Sequence, residues 1–144
     1  MKSADLIAMV QPGSYDDDRL LKLHSAAHAG ISMKDAFKLL KVRSTGYPPL
    51  PLLQATTGIS VRTLQRKRKT NAPLSPAEGS NLVDGLRLID RAAAVFGNYD
   101  RAMAWMQRSI RTLGGQRPID LLSTSLGRRA VDQTLGRIEH GIVG

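Results

Sequence analysis

The sequence has 144 residues, of which 42% are hydrophobic, and a formal net charge of +9 at pH 7. This length suits one compact domain or two very small ones that share a core. The absence of cysteine excludes disulfide bonds and thiolate metal sites. The basic balance favours nucleic acid, an anionic membrane surface or an acidic protein as the partner.

The positive charge is concentrated in the first half. Residues 1–72 hold 12 basic and 5 acidic side chains, a net charge of +7, whereas residues 73–144 hold 9 and 7, a net charge of +2. The N-terminal apolar run has about five residues, which is too short for a signal peptide or a membrane span. We therefore expect a cytoplasmic protein with no membrane association, in which residues 1–13 form a flexible lead-in.

Apolar residues recur at spacings of three and four along almost the whole chain, and the alternation typical of strands is missing. This pattern predicts an all-α fold. The first helix is expected to have Ser14 as its cap, to bury Leu20, Leu23 and Ala27, and to stop at Gly30.

Three more helices are predicted before residue 70. A capping box of Ser32 and Asp35 predicts the second helix. The segment TGYPPLP then breaks the chain, and a third helix is expected over about 49–57. A turn at Gly58 leads into a fourth helix over about 60–69.

The fourth helix is strongly cationic. Its sequence GISVRTLQRKRK carries five basic residues, and the chain has no Asp or Glu between Asp35 and Glu78. With the helix and turn before it, this layout predicts a helix-turn-helix whose second helix enters the major groove of DNA. The predicted DNA-binding residues are Ser60, Arg62, Thr63, Gln65, Arg66, Lys67, Arg68 and Lys69.

Different roles are expected within that set. Arg62, Thr63 and Gln65 suit base edges. Arginine can pair with guanine, and glutamine with adenine, through two hydrogen bonds. The later cations suit phosphates, which position the protein without specifying sequence. A solvated basic helix that contacts nothing remains an alternative, whereas a membrane-surface helix is disfavoured because the outward face has no large apolar residue.

A fifth, long helix is predicted from a capping box of Ser75 and Glu78, with Pro76 at the first helical position. Its apolar seam serves either the internal core or a dimer interface, and the sequence leaves both open; it consists of Leu82, Leu86, Ile89 and Ala93. Helix-turn-helix proteins commonly bind DNA as dimers, so we expect a homodimer.

The second half continues with short helices, a Gly114-Gly115 turn and a last helix over about 126–140. His24 and His28 have a spacing compatible with a metal, but no third ligand accompanies them, so we interpret them as helix-surface histidines. No nucleophile, acid–base set or phosphate loop emerges. We therefore predict no catalytic residue, no metal and no cofactor, and expect that the protein is not an enzyme.

Residues 96–144 contain the runs LGGQRPIDLLST and LGRIEHG together with Gly97, Ala102 and Trp105. In these features the segment resembles the toxin-binding domain of the Xre/MbcA/ParS antitoxins. Residues 59–92 resemble the end of the Xre-type helix-turn-helix and the linking helix of that family. One departure is Ile110, which stands where the family commonly has Pro-Asn before the turn that leads to Leu113.

The resemblance implies an antitoxin of a type II toxin-antitoxin system. Its partner would most often be a RES-domain toxin that degrades NAD+, bound in a hetero-oligomeric complex, and the antitoxin would repress its own operon by binding operator DNA. Antitoxins of this kind reach into the toxin's active site with their last residues. On this chain the implied toxin-binding residues are Arg137, Glu139, His140, Gly141, Ile142, Val143 and Gly144.

The tail is also a narrow apolar peptide of a shape that fits a cleft. If the toxin's cleft binds a dinucleotide, its cationic residues would accept the terminal carboxylate, with Glu139 as a second anion. The expected division is a lead-in at 1–13, a DNA-binding domain at 14–74, a linking helix at 75–97 and a toxin-binding domain at 98–144. The alternative is a stand-alone Xre-family transcriptional regulator whose C-terminal half only dimerises.

Overall fold

The structure is a computed structural model that describes residues 6, 10 and 15–141. Within these ranges every regular element is helical, which confirms the all-α prediction. No helix in the described ranges combines the length and the apolar character that a bilayer crossing requires. Between residues 15 and 141 the α-helices are α1 (Asp17–Ala29), α2 (Met33–Lys41), α3 (Pro49–Thr57), α4 (Val61–Thr70), α5 (Pro76–Phe96), α6 (Tyr99–Met106) and α7 (Ser125–Glu139), and short 3-10 helices cover Arg111–Leu113 and Pro118–Leu121.

Side-chain caps begin most of the helices, as the sequence predicted. Ser32 accepts a hydrogen bond from the backbone N–H of Asp35 at 3.0 Å. At the start of α5, Ser75 accepts from the N–H of Glu78 at 3.2 Å, and Glu78 accepts from the N–H of Ser75 at 2.8 Å. The reciprocal capping box is therefore confirmed, and it fixes where the longest helix begins.

Helix α1 differs from its prediction at two positions. Its cap is Asp16, which accepts from the N–H of Arg19 at 2.8 Å, rather than Ser14, which lies outside the described residues. Leu23 and Ala27 are buried as expected, but Leu20 is 44% exposed. The prediction for Leu20 is wrong because this residue lies at the rim of an open groove between α1 and α5.

Helix α5 is the central element, since α1, α3, α6 and α7 all pack against it. Leu82, Leu86 and Ile89 are fully buried within the chain. The long apolar seam therefore belongs to the internal core, and the homodimer remains a prediction that needs another surface. Close approach of α3 depends on Gly85, where an added Cβ atom would lie 2.9 Å from Cγ2 of Thr56.

A buried polar cluster also joins the two halves. Arg43, which follows α2, donates to both carboxylate oxygens of Asp90 on α5, at 2.7 and 2.8 Å. The hydroxyl groups of Tyr15 and Tyr99 donate to the same carboxylate at 2.9 and 2.7 Å. The side chains of Arg43 and Asp90 are each only 3% exposed, so this ion pair lies inside the protein.

The environment of this cluster keeps its donors protonated. Burial and the neighbouring Asp90 raise the pKa of the Tyr15 hydroxyl and of the Tyr99 hydroxyl above the usual value for tyrosine. Burial by itself would lower the pKa of Arg43, but its hydrogen bonds and its charge interaction with Asp90 outweigh that effect and raise it. Both tyrosines and Arg43 therefore remain hydrogen-bond donors at neutral pH.

The N-terminal segment contributes to the same region. Arg43 donates to the backbone carbonyl of Val10 at 3.0 Å, and both Val10 and Leu6 are buried in the core. At these two positions the structure differs from the loose lead-in expected for residues 1–13, because apolar side chains of that segment pack inside the protein. The other eleven residues of the lead-in lie outside the described residues.

Replacing Gly127 by Ala should lower the free energy of unfolding by about 1–3 kcal/mol, the usual cost of overpacking a tight site. An added Cβ atom there would clash with the backbone carbonyl of Leu121, whose carbon would be 2.9 Å away. Gly136→Ala in the same helix is the control, since its Cβ would meet only the end of the Arg91 side chain at 3.4 Å. Urea denaturation measures both variants, and equal stability of the two would contradict the clash.

Candidate nucleic-acid and partner interfaces

Helices α3 and α4, joined by a turn at Gly58, occupy the positions of the predicted helix-turn-helix. Gly58 ends α3 in the left-handed region, with φ of 77°, and donates its N–H to the carbonyl of Gln54 at 2.8 Å. Ser60 caps α4 by accepting a hydrogen bond from the N–H of Thr63 at 3.2 Å. Leu53 and Leu64 are fully buried and hold the two helices against the core. The turn is therefore tight, and α4 presents its other faces outward.

Most of the predicted DNA-binding residues lie on the accessible side of α4. Leu64 is the buried residue of this helix, and Thr63 and Lys67 are half-buried. Arg62, Arg66 and Lys69 follow one another at spacings of four and three, which places them along one face of a helix. The residues of the predicted set that are exposed are Ser60, Arg62, Gln65, Arg66, Arg68 and Lys69.

Two of the cations that were expected to contact phosphates also contact the protein itself. The amino group of Lys67 lies 3.6 Å from the carboxylate of Glu78, the acid of the α5 capping box. The guanidinium of Arg68 lies over the ring of Phe37, 4.5 Å from its centroid. Within residues 15–141, Arg62, Arg66 and Lys69 have no carboxylate within 4.0 Å. Among the described residues these three cations of α4 are therefore not held by an acidic side chain.

The second candidate surface is the end of α7. Arg91 of α5 contacts the carboxylate of Asp132 and lies 3.2 Å from that of Glu139. The last turn of α7 is therefore fastened to α5. Glu139 was expected to be available for a toxin, but here it is paired with Arg91, although its side chain is still 48% exposed.

Beyond Glu139 the chain leaves the helix. His140 is the exposed C-terminal cap residue, and Gly141 adopts a left-handed conformation with φ of 78°. Arg137 is half-buried and donates to the hydroxyl of Thr134 at 3.3 Å. The remaining predicted toxin-binding residues, Ile142, Val143 and Gly144, lie outside the described residues.

A series of ion pairs connects α5 with α7, and the sequence analysis did not predict these pairs. Arg128 is 7% exposed and donates to Asp84 at 2.7 Å, and Arg87 donates to the same carboxylate at 2.9 Å. Arg87 also lies 3.9 Å from Asp132, which connects to the pair at the end of α7. The pair of Arg87 with Asp84 has the i, i+3 spacing within α5, but the other contacts join residues of two helices that are 41 to 48 positions apart in sequence.

The ion pairs show that α7 runs parallel to α5. The start of α7 lies near Asp84, its middle near Arg87, and its end near Arg91. Lys67 of α4 meets α5 at Glu78, thirteen residues before Arg91. Because an α-helix rises about 1.5 Å per residue, the contact of α4 with α5 and the end of α7 are about 20 Å apart along α5.

The comparison with protein families matches part of the second half, and the comparisons with single proteins match longer segments. Residues 91–141 match the family described as the antitoxin Xre/MbcA/ParS C-terminal toxin-binding domain. The chain is 35% identical over 96 residues to the antitoxin Xre of Yersinia enterocolitica, which covers 66% of this chain and 64% of that protein. It is 37% identical over 87 residues to the antitoxin Xre of Photorhabdus laumondii, which covers 60% and 59%.

A third relative, the antitoxin Xre of Pseudomonas putida, is 29% identical over 83 residues, or 58% of this chain and 52% of that protein. The matched segments thus span between about half and two thirds of the length of these relatives. All three carry the name that the motifs in residues 96–144 had indicated. The C-terminal half of this chain therefore belongs to the Xre/MbcA/ParS antitoxin family, as those motifs predicted.

Proposed function

We propose that this chain is an antitoxin that binds a toxin through its C-terminal half and DNA through α4. The observation that carries this proposal is the match of residues 91–141 to a domain described as toxin-binding. The name antitoxin Xre, given to all three relatives, supports it. An antitoxin acts by binding, so this proposal gives the protein a regulatory role and no catalytic one.

The proposed partner is a RES-domain toxin that degrades NAD+, as the sequence resemblance implied. The tail from Arg137 to Gly144 would enter its active site. The end of α7 supports this proposal, because the pairing of Arg91 with Asp132 and Glu139 holds the last helical turn against α5 and so defines where the tail begins. A tail that starts from a fixed point loses less conformational entropy on entering a cleft than one that starts from a frayed helix.

The proposed second role is repression of the operon that encodes the chain. The exposed cations of α4, the tight turn at Gly58 and the absence of acidic residues between Asp35 and Glu78 support DNA binding in the cytoplasm. Two copies would bind paired half-sites, as helix-turn-helix proteins commonly do. The separation of about 20 Å along α5 would let DNA and toxin bind at the same time.

Removing the five residues after Glu139 should abolish protection against the toxin while leaving the fold intact. The truncated chain keeps the ion pair of Glu139 with Arg91 but loses the proposed blocking segment. Co-expression with the proposed RES-domain toxin, followed by measurement of growth and cellular NAD+, tests this expectation.

Two controls make the result interpretable. The truncated protein should keep the helical circular dichroism spectrum and the melting temperature of the full chain. A variant with both Arg62→Ala and Arg66→Ala should still protect, since those residues lie on α4. Full protection by the truncated chain would refute the tail mechanism, and failure of the full chain to bind the toxin would favour the stand-alone regulator.

A further inference from the structure

The C-terminal half touches the helix-turn-helix directly, at the turn before α4. Ile119 is fully buried, and the residues that follow it, Asp120 and Ser123, line a groove shared with Tyr47 and Gly58. A Cβ atom added at Gly58 would lie 3.4 Å from Cβ of Ser123. The segment after residue 117 therefore lies beside the predicted helix-turn-helix.

Arg117 lies at this junction and carries an exposed positive charge. Its guanidinium donates to both carboxylate oxygens of Asp120, at 2.8 and 2.9 Å, and the two side chains are 44% and 50% exposed. These hydrogen bonds and the charge of Asp120 raise the pKa of Arg117. Tyr47 lines the same groove as Asp120. Tyr47 precedes α3, the first helix of the helix-turn-helix.

The surrounding charge and backbone favour an anionic partner here. The sequence has no Asp or Glu from Arg101 to Ile119, and Arg108 and Arg111 are exposed along with Arg117. The loop before Arg117 is closed by backbone hydrogen bonds from Ile110 to Gln116 at 3.1 Å and from Gly115 to Ile110 at 3.0 Å. The position of Arg117 is therefore defined by an ordered loop on one side and a buried segment on the other.

In helix-turn-helix complexes the second helix enters the major groove while the first helix crosses the phosphate backbone. We propose that Arg117 extends the DNA-binding surface of α3 and α4 by contacting a phosphate beside the groove, with Asp120 competing for its guanidinium in the free protein. This inference rests on the proposed DNA binding through α4. It gives the C-terminal half a part in holding the duplex, besides its role towards the toxin.

Fluorescence anisotropy with the full chain and a labelled mixed-sequence duplex of about 30 base pairs, over a range of salt concentrations, tests this contact. Arg117→Ala should raise Kd by roughly three- to tenfold near 0.1 M salt and reduce the salt slope by about 0.9, because one phosphate contact is lost. Asp120→Asn should lower Kd, since it replaces the competing carboxylate by a neutral amide with one acceptor oxygen and removes a negative charge near the phosphates.

The matched control is Arg101→Ala, which removes an exposed arginine that hydrogen-bonds to the carbonyl of Phe96 at 3.4 Å, at the far end of α5. Its Kd and salt slope should equal those of the unmodified chain. If Arg66→Ala weakens binding while Arg117→Ala changes neither quantity, the contact of Arg117 is refuted and DNA binding through α4 stands. If the unmodified chain does not bind the duplex, both proposals fail.

Discussion

Replacing Asp90 by Ala should reduce the free energy of unfolding by about 3–5 kcal/mol, the cost of removing one partner of a buried ion pair. The change would leave the guanidinium of Arg43, now 3% exposed, without its counter-ion. It would also leave the hydroxyl groups of Tyr15 and Tyr99 without their acceptor. The single tryptophan, Trp105, is 6% exposed and provides a fluorescence signal for urea denaturation.

Asp132→Ala is the matched control for this substitution. Its carboxylate also contacts arginines, but the side chain is 36% exposed, so water can replace its partners. We expect its effect to be much smaller. A double variant, Arg43→Met with Asp90→Leu, should recover the part of the loss that comes from the unpaired guanidinium, because a buried ion pair can often be replaced by apolar residues of similar volume. The part that comes from the Tyr15 and Tyr99 hydroxyl groups should remain, since their acceptor is still absent. A loss below about 1 kcal/mol for Asp90→Ala would mean that water reaches the cluster.

Replacing both Arg62 and Arg66 by Ala should weaken binding to the promoter of the chain's own operon by at least about 30-fold. Each bidentate contact of an arginine with guanine is worth about 1–3 kcal/mol. The helix itself should persist, since both residues are exposed and alanine is the best helix former. A gel-shift titration with the promoter fragment measures the loss, and circular dichroism verifies the fold.

Arg68→Ala is the control within the same helix. Arg68 stacks on Phe37, so its removal should affect DNA binding less than loss of the two outward arginines. If the Arg62 and Arg66 double variant also failed to bind the toxin, the substitutions would have disturbed the whole protein. If it bound the promoter as tightly as the unmodified chain, α4 would not be the recognition helix.

The parts of the fold that the sequence predicted are those governed by local chemistry. Ser75 and Glu78 lie three residues apart, and their reciprocal hydrogen bonds depend on nothing outside the first turn of α5. Gly58 and Gly97 end helices through left-handed backbone conformations that glycine adopts at little cost. Helix bounds near such residues could therefore be predicted closely.

The contacts that join the helices could not be predicted in the same way. Arg43 and Asp90 are 47 residues apart, and each looks in the sequence like an ordinary surface charge. Arg128 gave no signal either, although its side chain is buried against Asp84. Which charged residues become buried depends on how helices pack, and that information is spread over the whole chain.

In the candidate sites, too, local features could be predicted and contacts between helices could not. The spacing along α4 placed Arg62 and Arg66 on its accessible side, because one helical period determines that face. It did not show that Lys67 would pair with Glu78, since that contact depends on where α5 begins in space. The pairing of Glu139 with Arg91 was missed for a similar reason, as it requires α7 to run parallel to α5.

Asp90 of α5 accepts hydrogen bonds from Arg43 in the first half of the chain and from Tyr99 in the second half. Because one carboxylate joins both halves, neither half can be exchanged independently. A hybrid that joined this N-terminal half to the C-terminal half of a relative would keep this polar cluster only if the two proteins carried compatible residues at these positions. Variants that test the proposed toxin contact should therefore change only the residues after Glu139 and leave α5 unchanged.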